Sequence, residues 1–188
     1  TSVAAQELDG QMLDEDPEGA LWKQEMISHL YLSREDAMKL PYRVLAIDPT
    51  VAKDPKDECG LVVFGSTAEK LLHKRTGYVL ADETLKASPE TWAQRAIELA
   101  IEWQVHGIIV EKNQGHHLVT MALTNVDNSW EKRIFPVNAG QSKALRAEPV
   151  SQIYEQKRIK HALPGFPLLE TQMLSWEPEI TPKSPDRI

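Results

Sequence analysis

The sequence predicts an α/β fold: a mixed five-stranded sheet with helices on both faces. Three observations carry this expectation. Short apolar runs of strand length come in succession after a polar lead-in, separated by segments rich in turn residues. Helical and strand patterns then alternate through the rest of the chain. Three of the strand runs close on a carboxylate, the pattern of buried strands that reach the rim of a sheet.

Residues 1–41 read as an acidic linker with short helical pieces, separate from the core. Asp9-Gly10 and Asp16-Pro17-Glu18-Gly19 are turn signals, Ser33 followed by Asp36 is a helix start, and Pro41 closes the segment. The domain proper spans 42–188. Its first strand is Arg43-Val44-Leu45-Ala46-Ile47-Asp48. A polar loop holding Asp54, Pro55 and Asp57 leads to a second strand at 60–65, and Tyr78-Val79-Leu80-Ala81-Asp82 is the third. The polar segment 66–77 between them reads as a hairpin tip. Ser88-Pro89-Glu90 opens a helix, with Ser88 as cap and Pro89 at its first position. Trp92, Ala96, Leu99, Ala100 and Trp103 give that helix one apolar stripe. Gly107-Ile108-Ile109-Val110-Glu111 is the fourth strand, 118–123 is helical, and 133–137 is the fifth strand, placed at a sheet edge by Pro136. A helix over 144–157 contains Pro149, 159–163 has the length of a short strand, and 166–176 is the last helix. Among folds with this order of elements is the ribonuclease H-like fold.

With 188 residues the chain holds one compact domain and a short appendage. No stretch reaches the roughly 18–20 apolar residues of a membrane span, and Thr1 to Ala5 lack the pattern of a signal peptide. Cys59 is the single cysteine, which excludes an internal disulfide and a multi-cysteine zinc site. The net charge of −7 argues against nucleic-acid binding, but its distribution weakens the objection. Residues 1–40 carry nine acidic and three basic side chains, a balance of −6, so the remainder is near neutral at −1. Within it Lys132, Arg133, Lys143, Arg146, Lys157, Arg158 and Lys160 form a basic sector, able to meet phosphate locally or to serve as solvated surface.

Asp48 and Glu111 each end an apolar strand. If those strands are neighbours, the two carboxylates converge at the rim. Converging carboxylates without His or Cys favour a hard cation, Mg2+ or Mn2+. Two such ions, about 3.5–4 Å apart, catalyse phosphodiester hydrolysis in two-metal sites. Each acid taken alone reads first as the opening polar residue of a loop, and it is the pair at matching strand ends that gives the metal reading its weight. Asp186, in Ser184-Pro185-Asp186-Arg187, is the third candidate, and Asp82 reads as a turn residue near the same rim. Glycine-rich nucleotide loops are absent. His116-His117 point to different faces of a helix and read as surface, and the five tryptophans are spaced as packing anchors.

Several segments together resemble the C-terminal nuclease domain of the large terminase subunit of tailed double-stranded-DNA phages. They are Gln6-Glu7-Leu8-Asp9-Gly10 with Gly19-Ala20-Leu21-Trp22, the run 43–49 with Asp57-Glu58-Cys59-Gly60-Leu61, and 78–82 followed by Ser88-Pro89 and Trp92-Ala93. Ile109-Val110-Glu111-Lys112-Asn113-Gln114-Gly115 is the most specific. Lys143 to Val150, Tyr154-Glu155-Gln156, Leu169 to Met173 and 184–187 complete the set. The resemblance implies a ribonuclease H-like fold and metal-dependent endonucleolytic cutting of concatemeric viral DNA during genome packaging, with little sequence preference. It makes Asp48 and Glu111 the first two catalytic, metal-binding acids. The third is Asp186 or an aspartate just beyond Ile188. It sets Lys143 and Arg146 against the DNA backbone, and implies two Mg2+ or Mn2+ ions. It makes 1–41 the hinge from an ATPase domain that this chain does not contain. The expected partners are double-stranded DNA, that ATPase domain, the small terminase subunit and the portal protein, in the cytoplasm of a phage-infected bacterium and with no membrane. His116-His117 depart from the small residues common after the family's Asn-Gln-Gly turn. Two alternatives stand beside this reading: a nuclease like the Holliday-junction resolvases, and a non-catalytic module that docks on the portal.

Overall fold

A computed structural model describes residues 17–50, 57–112, 116–138, 140–180 and 185. The elements run β1 (His29–Leu30), α1 (Arg34–Met38), β2 (Tyr42–Asp48), β3 (Gly60–Ser66), β4 (Gly77–Asp82), α2 (Pro89–Glu102), β5 (Gly107–Lys112), α3 (His116–Val126), β6 (Ile134–Asn138), α4 (Lys143–Glu155), β7 (Ile159–Ala162) and α5 (Pro167–Ser175). They build one mixed sheet in the order β1-β7-β4-β3-β2-β5-β6. The first hairpin is in full antiparallel register, from Tyr42 opposite Ser66 to Asp48 opposite Gly60. β4 continues the meander, while β5 pairs parallel with β2, β6 with β5, and β7 with β4.

The sheet has seven strands where the sequence predicts five. The two additions are β7, whose four residues include Lys160 and His161, and β1, only two residues long. β7 falls within the stretch 159–163 that has the length of a short strand, β1 is too short to read, and a parallel partner distant in sequence supplies hydrogen bonds to each. Pro136 lies, as expected, on the edge strand β6.

Helices cover both faces because each central strand alternates between two cores. Leu45, Ile47, Leu61, Val63, Ile108 and Val110 point to one face and pack with Trp92, Ala96 and Leu99 of α2 and Val119 and Leu123 of α3. Val62, Phe64, Val79 and Ile159 point to the other, against Ala147 and Tyr154 of α4 and Leu169 and Met173 of α5. The caps of α2 are as its sequence predicts: Ser88 Oγ accepts from Thr91 N–H and Pro89 opens the helix, a cap worth about 1 kcal/mol. No helix among the described residues is long and apolar enough to cross a membrane.

The second core also takes in part of the segment read as a linker. Trp22 is 1% exposed, stacks on Trp176 at 6.0 Å and meets Tyr154 edge-on. Ile27 is buried beside them, and β1 extends the sheet. Residues 17–41 carry four acidic and three basic side chains, so the acidic excess of the lead-in lies before them, and Trp22 and Ile27 help to seat this stretch on the domain.

Candidate active site

β2 and β5 are adjacent and parallel, with Ile47 opposite Val110. The next positions, Asp48 and Glu111, therefore stand side by side at the carboxyl ends of two central strands. Gly60 faces Asp48 from β3, and its missing side chain leaves the rim open. A cleft of about 310 Å3 results, lined by both acids, Gly60, Val137, Lys143 and Arg146.

The two basic residues come from the first turn and a half of α4, which starts at an N-cap serine, Ser142. Lys143 and Arg146, three positions apart, share one helix face. Lys143 Nζ donates to Asp48 Oδ2 at 3.0 Å, and Arg146 Nη2 approaches Glu111 Oε2 at 3.4 Å. Two carboxylates and two cations thus balance formally at the rim. Asp48 remains 43% exposed along its side chain and Glu111 23%, so solvent screens both pairs. Among the described residues, Arg146 Nε is buried without a hydrogen-bond partner. Behind the helix lies a further hollow of about 360 Å3, bounded by Val62, Phe64, Ala147 and Met173.

Asp186 lies outside the described residues, as do Asp54, the 113–115 turn and Ser184. Pro185 is described: its carbonyl accepts a hydrogen bond from Lys143 Nζ. The residue before Asp186 is thereby tied to the side chain that meets Asp48. Asp82 behaves as a turn residue, its Oδ1 accepting from Thr84 N–H at 3.1 Å and Thr84 Oγ1 at 2.6 Å. The basic sector divides. Lys143 and Arg146 reach the acids, Arg133 lies over the Trp130 ring at 3.7 Å, and Arg158 donates to the carbonyls of Arg75 and Leu72 in the β3–β4 connection. Cys59 is fully buried beside Gly60, and burial pushes its thiol up to about 12, out of reach of nucleophilic or ligand chemistry. Among the described residues the lining of the cleft offers oxygen donors from carboxylates and no imidazole or thiolate, which fits a hard divalent cation.

A second polar cluster, absent from the sequence reading, lies at the other end of the sheet. His29 Nε2 and His161 Nδ1 stand 2.9 and 2.7 Å from one oxygen, Glu170 Oε1. Phe166 N–H donates to the same oxygen at 3.0 Å, and the Tyr154 hydroxyl meets His161 Nε2 at 2.8 Å. Burial opposes the charge on Glu170, but the hydrogen bonds from His161, Phe166 and His29 outweigh it and hold the carboxyl down to about 2. His29 and Glu170 are 141 positions apart and no spacing motif joins them; the β1–β7 pairing sets His29 opposite His161, and α5 brings Glu170 to both.

No curated protein matches the chain in a sequence search. Residues 45–164 match the family model described as the terminase RNaseH-like domain. The matched span runs from the second half of the first hairpin strand to just past β7, so it holds Asp48, Glu111, Lys143 and Arg146. With the mixed sheet and the paired strand-end acids, that match places the chain in the terminase RNaseH-like domain family, and with it in a nuclease-type role in phage DNA packaging.

Proposed function

We propose that this domain is a divalent-metal-dependent endonuclease that cuts concatemeric double-stranded viral DNA during packaging, in the cytoplasm of the infected bacterium. The observation that carries the reading is the convergence of Asp48 and Glu111 at the ends of adjacent parallel strands, facing an open cleft. Asp48, Glu111 and Asp186 would hold two Mg2+ or Mn2+ ions. Support for Asp186 comes from Pro185, whose carbonyl reaches the same lysine as Asp48. When bound, such ions activate water and neutralise charge on the leaving oxygen.

The chain's own residues do the rest. Asp48 and Glu111 project from the rigid centre of the sheet, so their spacing is fixed by strand pairing and not by a loop. Lys143 and Arg146 pair with these acids, and from the same helix face they would also reach the phosphate oxygens of a bound duplex. Contacts of this kind position a duplex without reading its sequence. The ATPase domain, small terminase subunit and portal protein are the partners this role requires. Residues before 17 would then lead from the ATPase domain, while 17–41 dock on the nuclease.

Plasmid cleavage by this chain with Mn2+, Mg2+ or EDTA, beside Asp48→Ala, tests the proposal. Divalent-dependent nicking and linearisation that fall at least about 100-fold in the variant are expected, the scale on which removing one electrostatic catalytic group acts. Cleavage that persists in EDTA or in Asp48→Ala would overturn it. Strong preference for four-way junctions over linear duplex would favour a resolvase-like enzyme instead.

A further inference from the structure

We infer that His29, His161 and Glu170 form a second metal site, distinct from the acidic rim and suited to Zn2+ or a similar borderline cation. One ligand atom from each of the three lies within 4.8 Å of the others, the span from which three ligands can reach one ion. The rings of His29 and His161 are set edge to face at 89°, so their nitrogens approach one point from different directions. This set of two imidazoles and one carboxylate is a known zinc combination, with a fourth position open to water. His29 lies at the solvent boundary, with its side chain 33% exposed, and gives water that access.

The surroundings are arranged as a metal's outer shell requires. His161 is completely buried, and its second ring nitrogen faces the Tyr154 hydroxyl at 2.8 Å. A phenol hydroxyl there can accept Nε2–H when Nδ1 turns its lone pair to an ion. The Phe166 N–H holds the carboxylate at the same oxygen. Gly165 sits where a Cβ would come within 3.0 Å of His29 Nε2, so a side chain there would crowd the ligand nitrogen. The hydrogen bonds from both rings to Glu170 keep the three ligand atoms gathered about one point.

The two sites differ in chemistry. The rim offers carboxylate oxygens and suits Mg2+ or Mn2+, whereas two imidazoles select Zn2+, Ni2+ or Cu2+. Zinc here would join β1, β7 and α5, and so fasten the acidic lead-in to the domain.

The experiment is calorimetric titration of the chelator-stripped chain with Zn2+ in excess Mg2+, followed by Co2+ absorption and thermal melting. One equivalent of saturable Zn2+ binding, a tetrahedral Co2+ spectrum and a raised Tm are expected. All should persist in Asp48→Ala. His29→Gln alters a partly exposed side chain and leaves the buried pair intact. It should weaken binding about 100-fold or more, since even outer-shell changes cost 10–100-fold, and should remove the Zn2+-dependent rise in Tm. Binding that is unsaturable, that is unchanged in a folded His29→Gln chain, or that disappears in Asp48→Ala would overturn the inference. The first two results would leave the triad as a hydrogen-bond network, and the third would put the ion at the rim.

Discussion

Arg43 is only 6% exposed, and its guanidinium donates to four main-chain carbonyls: Met38, Leu40, Trp103 and Gln104. It ties the end of α1 to the end of α2 at the start of β2. Truncation would orphan these acceptors inside the protein, so Arg43→Ala should cost about 3–5 kcal/mol in urea unfolding. Arg43→Lys should recover only part, because an ammonium cannot reproduce the planar fork. This residue shows what sequence reading misses at the smallest scale. Arg43 reads there as the polar opening of a strand, and nothing local indicates that distant carbonyls depend on it. Asp48 and Glu111 were legible for the opposite reason. Each closes a run of apolar side chains, so each announces its own place at a strand end. Their convergence was a conditional expectation that only strand order could meet. His161 sits in a stretch with the length of a short strand, and its partners Tyr154 and Glu170 are only seven and nine positions away, but no local pattern shows that the helices carrying them turn those side chains toward it.

At the scale of elements, α4 carries an unusual burden. It presents Lys143 and Arg146 to the rim, and it contains Pro149 at its seventh position. A proline there withholds the N–H that would bond the Leu145 carbonyl and crowds the preceding turn. Replacing it with alanine restores that bond, less the entropy that proline removes from the unfolded chain. Pro149→Ala should therefore stabilise the domain by about 1–2 kcal/mol, read as a higher Tm by calorimetry. No stabilisation would mean that the surrounding contacts already accommodate the proline. Helices and the central strands were readable because caps, prolines and period-two patterns lie within a few residues of one another. β1 was not, since its stability resides in pairing and not in its own composition, and β7, legible as a short strand, gave no sign of the strands it joins.

For the molecule as a whole, charge decides how DNA can be held. Residues 1–40 contribute −6 and the rest −1, so attraction must come from a local face. The structure narrows that face, because Arg133 and Arg158 are engaged with Trp130 and with main-chain carbonyls. If Lys143 and Arg146 contact phosphate, their joint replacement by alanine should weaken duplex binding for every sequence alike. It should also lower the salt slope of log K by about 2, near one unit per contact. An unchanged slope in a folded double variant would place the DNA elsewhere. The contact from Lys143 to Asp48 spans 95 positions, and that from Lys143 to Pro185 another 42. On the ribosome, synthesis runs from the amino end, so both rim carboxylates emerge before either counter-charge. A nascent chain stopped short of α4 presents two uncompensated acids, and one stopped short of Pro185 lacks the carbonyl that steadies Lys143. The rim therefore acquires its pairing late, only after synthesis has passed Pro185 and long after both acids have emerged.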